Sequence, residues 1–191
     1  GDFFNFGIGS TTFVGGDLQA GYLGEVLSTN LITGDSLASS IGLTAGTAQN
    51  SAVPWWKFSV DNEIIYVPTK TFRYAISWDD INAVNAVYND SNAPIVTIGE
   101  YDFRVTLMTG AEADPTVEEN GTGSEWNRLI YNIHNGNWAS YNADNTNITS
   151  GNGSSSWCQE TFASDSVHRV RRGYSTYTTF NHDDSDISFD Y

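Results

Sequence analysis

The stretch that most constrains the fold is residues 156–174, where apolar and polar residues alternate in two short runs. Trp157 in the first run, and Val167, Arg169 and Arg171 in the second, occupy the alternating positions that a half-buried sheet requires. The sequence therefore predicts two short strands here. Since charged residues on a strand usually form a solvated face, we expect the arginines to face acidic loops nearby.

The rest of the chain has the composition of a strand-and-loop protein. Aromatic residues make up 14% of its 191 residues, and only four residues are proline. This mix is typical of short strands joined by long, hydrogen-bonding loops rather than of a helical bundle. Because single domains hold roughly 100 to 200 residues, we expect one main domain.

Charge and cysteine content exclude several function classes. The formal net charge is −15, from 8 basic and 23 acidic residues, and such a field repels a phosphate backbone, so we expect no nucleic-acid partner. The single cysteine, Cys158, excludes an internal disulfide, a cysteine-based zinc cluster and a redox pair. No apolar run approaches the roughly 20 residues of a membrane span.

Residues 1–21 are too rich in glycine for a stable helix and too aromatic for ordinary disorder. We expect an N-terminal arm that extends from a globular body of residues 22–191 and buries Phe3, Phe4, Phe6 and Phe13 on a neighbouring subunit. The alternative is that the segment folds back as an edge strand of its own domain.

Three segments carry helix signals. Thr33 or Asp35 can cap a short helix over residues 33–43, and Ser77 can cap a helix that runs to about Tyr88. Ser124 can cap a third helix, over residues 124–131. The apolar stripes of these helices are interpreted as core rather than as a cofactor site.

Two hairpins are predicted. The first joins strands over residues 55–60 and 63–67 through Asp61-Asn62, and the second joins residues 95–98 and 101–108 through Gly99-Glu100. The C-terminal residues 174–191 predict one or two exposed strands with an acidic turn.

Catalytic signatures are absent from the sequence. None of His134, His168 and His182 has a second histidine at helical or strand spacing, and the nucleophile-elbow, zinc-protease and phosphate-loop motifs do not occur. We therefore expect no enzymatic activity and no cofactor other than a structural calcium ion.

Two acidic clusters could supply the oxygen ligands that calcium takes, although neither follows the twelve-residue calcium-loop pattern. The alternative is that these carboxylates only keep the protein soluble. The clusters are Glu112, Asp114, Glu118, Glu119 and Glu125, and Asp183, Asp184 and Asp186.

Four aromatic residues in or near a long loop of Asn, Gly, Ser and Thr could form a ligand-binding surface. Trp138, Tyr141, Tyr174 and Tyr177 could stack on sugar faces while nearby amides bind hydroxyl groups. The alternative is that these rings cover the sheet from above.

Taken together in order and spacing, several motifs between about Tyr22 and Asp190 resemble a module of virion structural proteins of tailed bacteriophages. The resemblance implies a virion location, other virion proteins as partners, a homo-oligomer and a host-surface glycan or receptor. The motifs include Trp56-Lys57-Phe58, Ser77-Trp78-Asp79, Gly123-Ser124-Glu125-Trp126-Asn127-Arg128-Leu129 and Trp157-Cys158-Gln159-Glu160, with residues 37–47, 65–68, 73–74 and 103–110.

A second resemblance concerns Arg169-Val170-Arg171-Arg172-Gly173, which is similar to a segment of the C-type-lectin-like fold of formylglycine-generating enzymes. It implies an α+β, C-type-lectin-like domain of short antiparallel strands, two or three short helices and long loops. That family continues into a terminal Gly-Trp/Phe-Arg-Pro strand, which implies that a C-terminal strand is missing here. Its enzymes use two cysteines, whereas Cys158 is alone, so the resemblance implies the scaffold and not the chemistry.

The leading expectation is a non-enzymatic structural component of a phage virion, on a tail fibre or as capsid decoration, that displays loops for assembly or host attachment. Two alternatives remain: a lectin-like module that binds a glycan or receptor, and an enzyme of the sulfatase-modifying kind.

Overall fold

The computed structural model describes residues 4–118, 123–138, 155–173 and 176–191. The predicted α+β class is confirmed, with 14% of residues helical and 34% in mostly short antiparallel strands. The strands are β1 Gly15–Gly16, β2 Ala20–Val26, β3 Thr47–Ala48, β4 Trp55–Val60, β5 Glu63–Pro68, β6 Arg73–Tyr74, β7 Ile76–Ser77, β8 Ile95–Ile98, β9 Tyr101–Arg104, β10 Ser155–Thr161, β11 His168–Gly173, β12 Phe180–Asp184 and β13 Ser188–Phe189.

The main sheet has the strand order β1-β2-β4-β5, and β4 is buried along its whole length. The β4–β5 hairpin turns at Asp61 and Asn62, whose φ angles are 49° and 65°. Two consecutive positive φ angles give a two-residue turn whose twist matches that of the flanking strands, and asparagine and aspartate tolerate this conformation. The predicted hairpin is thus confirmed.

A second sheet has the order β10-β11-β12, and it contains the two strands predicted from residues 156–174. The expected solvated face is wrong for two of its arginines, because Arg171 and Arg172 are only 6% and 1% exposed. Arg171 pairs with Asp183 on β12, and Arg172 donates hydrogen bonds to carbonyl groups inside the protein. Burial is tolerated because each guanidinium has bonding partners there.

Helix α1 (Gly34–Ser40) is capped by Thr33, and helix α2 (Trp78–Ala83) is capped by Ser77 in a capping box with Asp80. The predicted extension of α2 to Tyr88 is wrong. Asn85 adopts a positive φ of 60°, and the Asn85 and Ala86 N–H groups bond back to the Asn82 and Ile81 carbonyls. This Schellman arrangement ends the helix.

The third predicted helix forms as a π-helical turn, Trp126–Ile130, that continues into α3, Tyr131–His134. The β8–β9 hairpin also forms at the predicted turn, but β9 ends at Arg104 instead of continuing to Met108. Residues 105–109 leave the ladder because their backbone groups bond elsewhere; the Val105 and Leu107 N–H groups, for example, donate to Pro94 and Val87.

The last residues of the chain close the core between the sheets. β13 pairs with β7, and the Tyr191 carbonyl accepts hydrogen bonds from the Phe72 and Arg73 N–H groups at 2.9 and 3.0 Å. The C-terminal strands β12 and β13 are thus largely engaged rather than exposed. Among the described residues, no helix is both long enough and apolar enough to cross a membrane.

Candidate functional site

A groove lies between the main sheet and the segment that follows the β8–β9 hairpin. It encloses about 660 Å³, and its walls come from β5, β9 and residues 105–109. β5 is the last strand of its sheet, and within the described residues β9 pairs only with β8. Within the described residues, each strand therefore has one edge without a ladder partner, and such edges can accept an added strand.

A second cavity of about 510 Å³ lies at the β4–β5 turn end of the two strands and shares residues of β5 and β9 with the groove. Its walls also include Phe4, Asn5 and Gly7 of the N-terminal segment. Tyr66 and Phe103 meet edge to face here, with their ring centroids 5.6 Å apart. Phe4, Asn5 and Gly7 therefore lie beside the groove.

Residues 4–13, hereafter the N-terminal segment, lie across the main sheet. Two side chains of that sheet donate hydrogen bonds to the backbone of the segment. Lys57 Nζ donates to the Ser10 carbonyl at 2.7 Å, and Tyr66 Oη donates to the Ile8 carbonyl at 2.7 Å. Since both contacts go to backbone oxygens, they fix the path of the segment without specifying the Ile8 and Ser10 side chains.

Lys57 is the unusual member of this pair, because it is fully buried in the middle of β4. Burial lowers the pKa of Lys57 to about 8. A buried ammonium needs a hydrogen-bond acceptor, and the described acceptor is the Ser10 carbonyl. The hydrogen bond from the buried Lys57 ammonium therefore anchors the N-terminal segment to the body of the protein.

Replacing Lys57 by methionine is expected to loosen the N-terminal segment. Met fills the space but cannot donate to Ser10, and a hydrogen bond from a charged group is worth about 1.5–3 kcal/mol. Chymotrypsin cleavage in residues 4–13, followed by mass spectrometry, should become roughly tenfold faster or more. Lys70→Met, at a half-buried lysine after β5, is the control; equal cleavage rates in wild type and Lys57→Met would contradict the assignment.

The aromatic residues predicted for the arm pack mainly on each other. The Phe4 and Phe6 ring centroids are 4.7 Å apart, and those of Phe6 and Phe13 are 6.5 Å apart. Phe13 also lies against Gly21 of β2, where a Cβ atom would come within 2.6 Å of its ring. Phe3 lies outside the described residues.

Polar groups form one wall of the groove. The Thr109 N–H donates to Glu125 Oε1 at 3.2 Å, while the Glu125 N–H donates to Thr109 Oγ1 at 2.8 Å. Burial raises the pKa of Glu125. Arg128 makes a bidentate pair with Asp61, with N–O distances of 2.8 and 2.9 Å, and so connects the π-helical turn to the β4–β5 turn.

The residues predicted to bind a glycan are placed inward where they are described. Trp138 packs against Phe58, with ring centroids 6.3 Å apart, and Tyr177 stacks on His134 at 5.4 Å. Both rings are partly buried against the core cluster beneath the main sheet. Tyr141 and Tyr174 lie outside the described residues.

The predicted calcium clusters do not come together in the described part of the chain, where no group of three or more His, Cys, Asp and Glu side chains is arranged to hold a metal ion. Asp114 accepts from the Thr161 N–H, Asp183 pairs with Arg171, and Asp184 contacts His168. Glu112, Glu118 and Asp186 are exposed, and Glu119 lies outside the described residues.

Cys158 is fully buried, and burial raises the pKa of its thiol well above the usual range. A thiol in this state is a packing group, because reactive cysteines are partly exposed and carry a lowered pKa. A Cβ atom on the neighbouring Gly110 would lie 2.6 Å from its sulfur, so the backbone packs closely against it.

Sequence reasoning missed Lys57 and two further buried charged residues, Glu160 and Arg172. The signal for Lys57 was available, since a lone lysine within Trp55-Trp56-Lys57-Phe58 interrupts an apolar strand. Glu160 and Arg172 carried no such signal, because their partners lie far away in the sequence.

No protein-family model, no curated protein and no solved structure matches this chain. The fold and the groove are therefore interpreted from the geometry of the chain itself.

Proposed function

We propose that the chain is a non-enzymatic structural component of a tailed-phage virion, with a C-type-lectin-like body that assembles through its N-terminal segment. In the assembly, the segment of one copy occupies the surface of the main sheet on a neighbouring copy. The proposal is supported chiefly by the way Lys57 and Tyr66 hold this segment through its backbone carbonyls.

Such contacts favour exchange between copies. An identical segment from a neighbour offers the same carbonyl groups to Lys57 and Tyr66, so exchange preserves every contact that the body makes. Among the described residues, the segment forms no ladder with β4 or β5, and the first backbone hydrogen bond to the body comes just after the segment, from the Val14 N–H to the Tyr22 carbonyl. Separation therefore breaks few backbone hydrogen bonds.

The groove supports the same role. Phe4, Asn5 and Gly7 of the N-terminal segment line the cavity beside it, and the groove offers a β5 edge together with apolar walls. A strand that pairs with an exposed edge gains affinity from main-chain hydrogen bonds and specificity from alternate side chains. Phe3 of a neighbouring copy is the proposed occupant, because an aromatic side chain suits an apolar groove.

The two alternatives have less support from the described residues. Trp138 and Tyr177 pack against the core, where their faces are used for packing rather than for stacking on a sugar. The buried Cys158 thiol, with its raised pKa, does not suit the chemistry of a sulfatase-modifying enzyme.

Oligomeric state tests the assembly role directly. We expect light scattering after size-exclusion chromatography to show an oligomer for the full chain and a monomer for a chain that lacks residues 1–13. The shortened chain should remain folded, since removal of the segment gives water access to Lys57. Ile95→Ser replaces an exposed apolar residue of β8 and controls for non-specific hydrophobic association. This variant should remain oligomeric.

A full chain that remains monomeric at high concentration, or a shortened chain that still assembles, would contradict arm exchange. The virion role is tested separately by image reconstruction of the native assembly at side-chain resolution, in which residues 1–21 are traced. An arm that contacts only its own body would there favour the lectin-like binding module.

A further inference from the structure

Two histidines meet on the second sheet, and neither lines the groove. In the β11–β12 ladder His168 lies opposite Asp184 and Val170 lies opposite His182, so the two histidines are diagonal neighbours on one face. Their Nδ1 atoms are 2.7 Å apart. Both side chains are partly exposed, so a small solute can approach them.

The far side of the His168 ring is held by carboxylates. Nε2 lies 2.8 Å from Asp184 Oδ1 and 3.6 Å from Asp165 Oδ2. A carboxylate at this nitrogen favours the tautomer that carries its proton on Nε2. The lone pair of His168 Nδ1 is then directed at His182.

The His182 ring is also fixed. It stacks on Phe162 with a centroid distance of 3.7 Å and an interplanar angle of 7°. The two Nδ1 atoms therefore face each other from oriented rings, and in the neutral pair a single proton lies between them. A cation that accepts both lone pairs can replace that proton.

We propose that His168 and His182 bind a first-row transition-metal ion through their two Nδ1 atoms. Imidazole nitrogen is a preferred ligand of Cu²⁺, Ni²⁺ and Zn²⁺. Two nitrogens on a tetrahedral zinc are roughly 3.3 Å apart, so the rings must separate by roughly half an ångström. This inference does not depend on the proposed assembly role.

The surrounding groups suit such a site. Asp184 is an outer-shell partner that orients a metal-binding histidine. No third His, Cys, Asp or Glu joins the pair within the described residues, and water can occupy the remaining coordination positions of the ion. The site is thus an open one, of the type that can also bridge two molecules.

Calorimetric titration with Ni²⁺ and Zn²⁺ tests the proposal on the full chain prepared without a polyhistidine tag. We expect binding of one ion per chain, with Mg²⁺ giving none. His168→Gln and His182→Gln should each weaken binding at least about tenfold, and Asp184→Asn about tenfold, as expected for loss of an outer-shell partner. Asp186→Asn, at an exposed carboxylate in the turn after β12, is the matched control and should leave the affinity unchanged.

A second measurement needs no variant and so does not depend on whether the variants fold. Substoichiometric Cu²⁺ should broaden the ring resonances of His168 and His182 in the wild-type spectrum before those of His134, which is buried beneath the main sheet. Absence of binding, equal affinity in the histidine variants and wild type, or broadening centred elsewhere would each overturn the proposal.

Discussion

Replacing Arg172 by alanine is expected to lower the free energy of unfolding by about 3–5 kcal/mol. Arg172 donates to the Gly110 carbonyl at 2.7 Å, to the Thr179 carbonyl at 3.1 Å and to Asn127 Oδ1 at 2.8 Å. The guanidinium is almost fully buried. Its loss removes one hydrogen-bond donor from each of these acceptors and opens a cavity beside Cys158.

Two further variants show how much of the effect comes from the charge and burial of Arg172 and how much from the geometry of its hydrogen bonds. Arg172→Lys keeps the charge but cannot reproduce the planar array of donors, so we expect an intermediate loss of stability. Arg104→Ala removes an exposed arginine from β9 and should change stability by no more than about 0.5 kcal/mol. Urea unfolding at one pH measures all three, and a value for Arg172→Ala close to that of Arg104→Ala would contradict this account.

The second large effect is expected from Glu160→Gln, and it depends on pH. Burial raises the pKa of Glu160 from 4.5 to about 7. Between these values the unfolded chain releases a proton that the folded chain keeps. The stabilisation that the Glu160 carboxyl gives to the folded state is therefore fully present below about pH 4.5, and it is lost as the pH rises to about 7. The loss is on the order of 3 kcal/mol.

Glutamine at position 160 cannot ionise but can still accept the Gly110 N–H bond, which is 2.9 Å long in the wild type. The variant should match the wild type near about pH 4 and exceed it by about 3 kcal/mol near about pH 8. Glu100→Gln, in the exposed β8–β9 turn, is the control and should keep the wild-type profile.

The stability of Glu160→Gln must be compared with that of the wild type at each pH, because His134 makes stability depend on pH in the opposite sense to Glu160. Burial lowers the pKa of His134 to about 4, so its contribution is present above the ordinary histidine pKa and is lost as the pH falls. The two effects partly cancel in the wild-type profile. A constant difference between Glu160→Gln and wild type at all pH values would show that folding does not raise the pKa of Glu160.

Local signals in the sequence were sufficient for much of the fold. The turn at Asp61-Asn62 and the cap at Ser77 each depend on a few neighbouring residues, and the structure has both. The burial of Arg172 depends instead on Gly110 and Asn127, which are 62 and 45 residues away in the sequence. No strand pattern can indicate whether such distant acceptors are present.

The same reasoning applies to the sites. The position of the N-terminal segment follows from Lys57 and Tyr66, which are 47 and 58 residues beyond the carbonyls that they bind. His168 and His182 have neither helical nor strand spacing, and only the register of β11 on β12 brings their rings together. Neither set of contacts was predicted from the sequence, because both depend on residues that only the fold brings together.

The closure of the core by the end of the chain has a consequence for how the protein folds. Thr71 and Asp190, whose side chains bond at 3.0 Å, are separated by 119 residues, and β7 pairs with β13 across a similar interval. Contacts between residues so distant in sequence slow folding, because a long loop must close before they form. A nascent chain emerging from the ribosome lacks this closure until residue 190 is available. During that interval the aromatic core and the β5 edge are exposed, and we expect this period to be the most prone to aggregation.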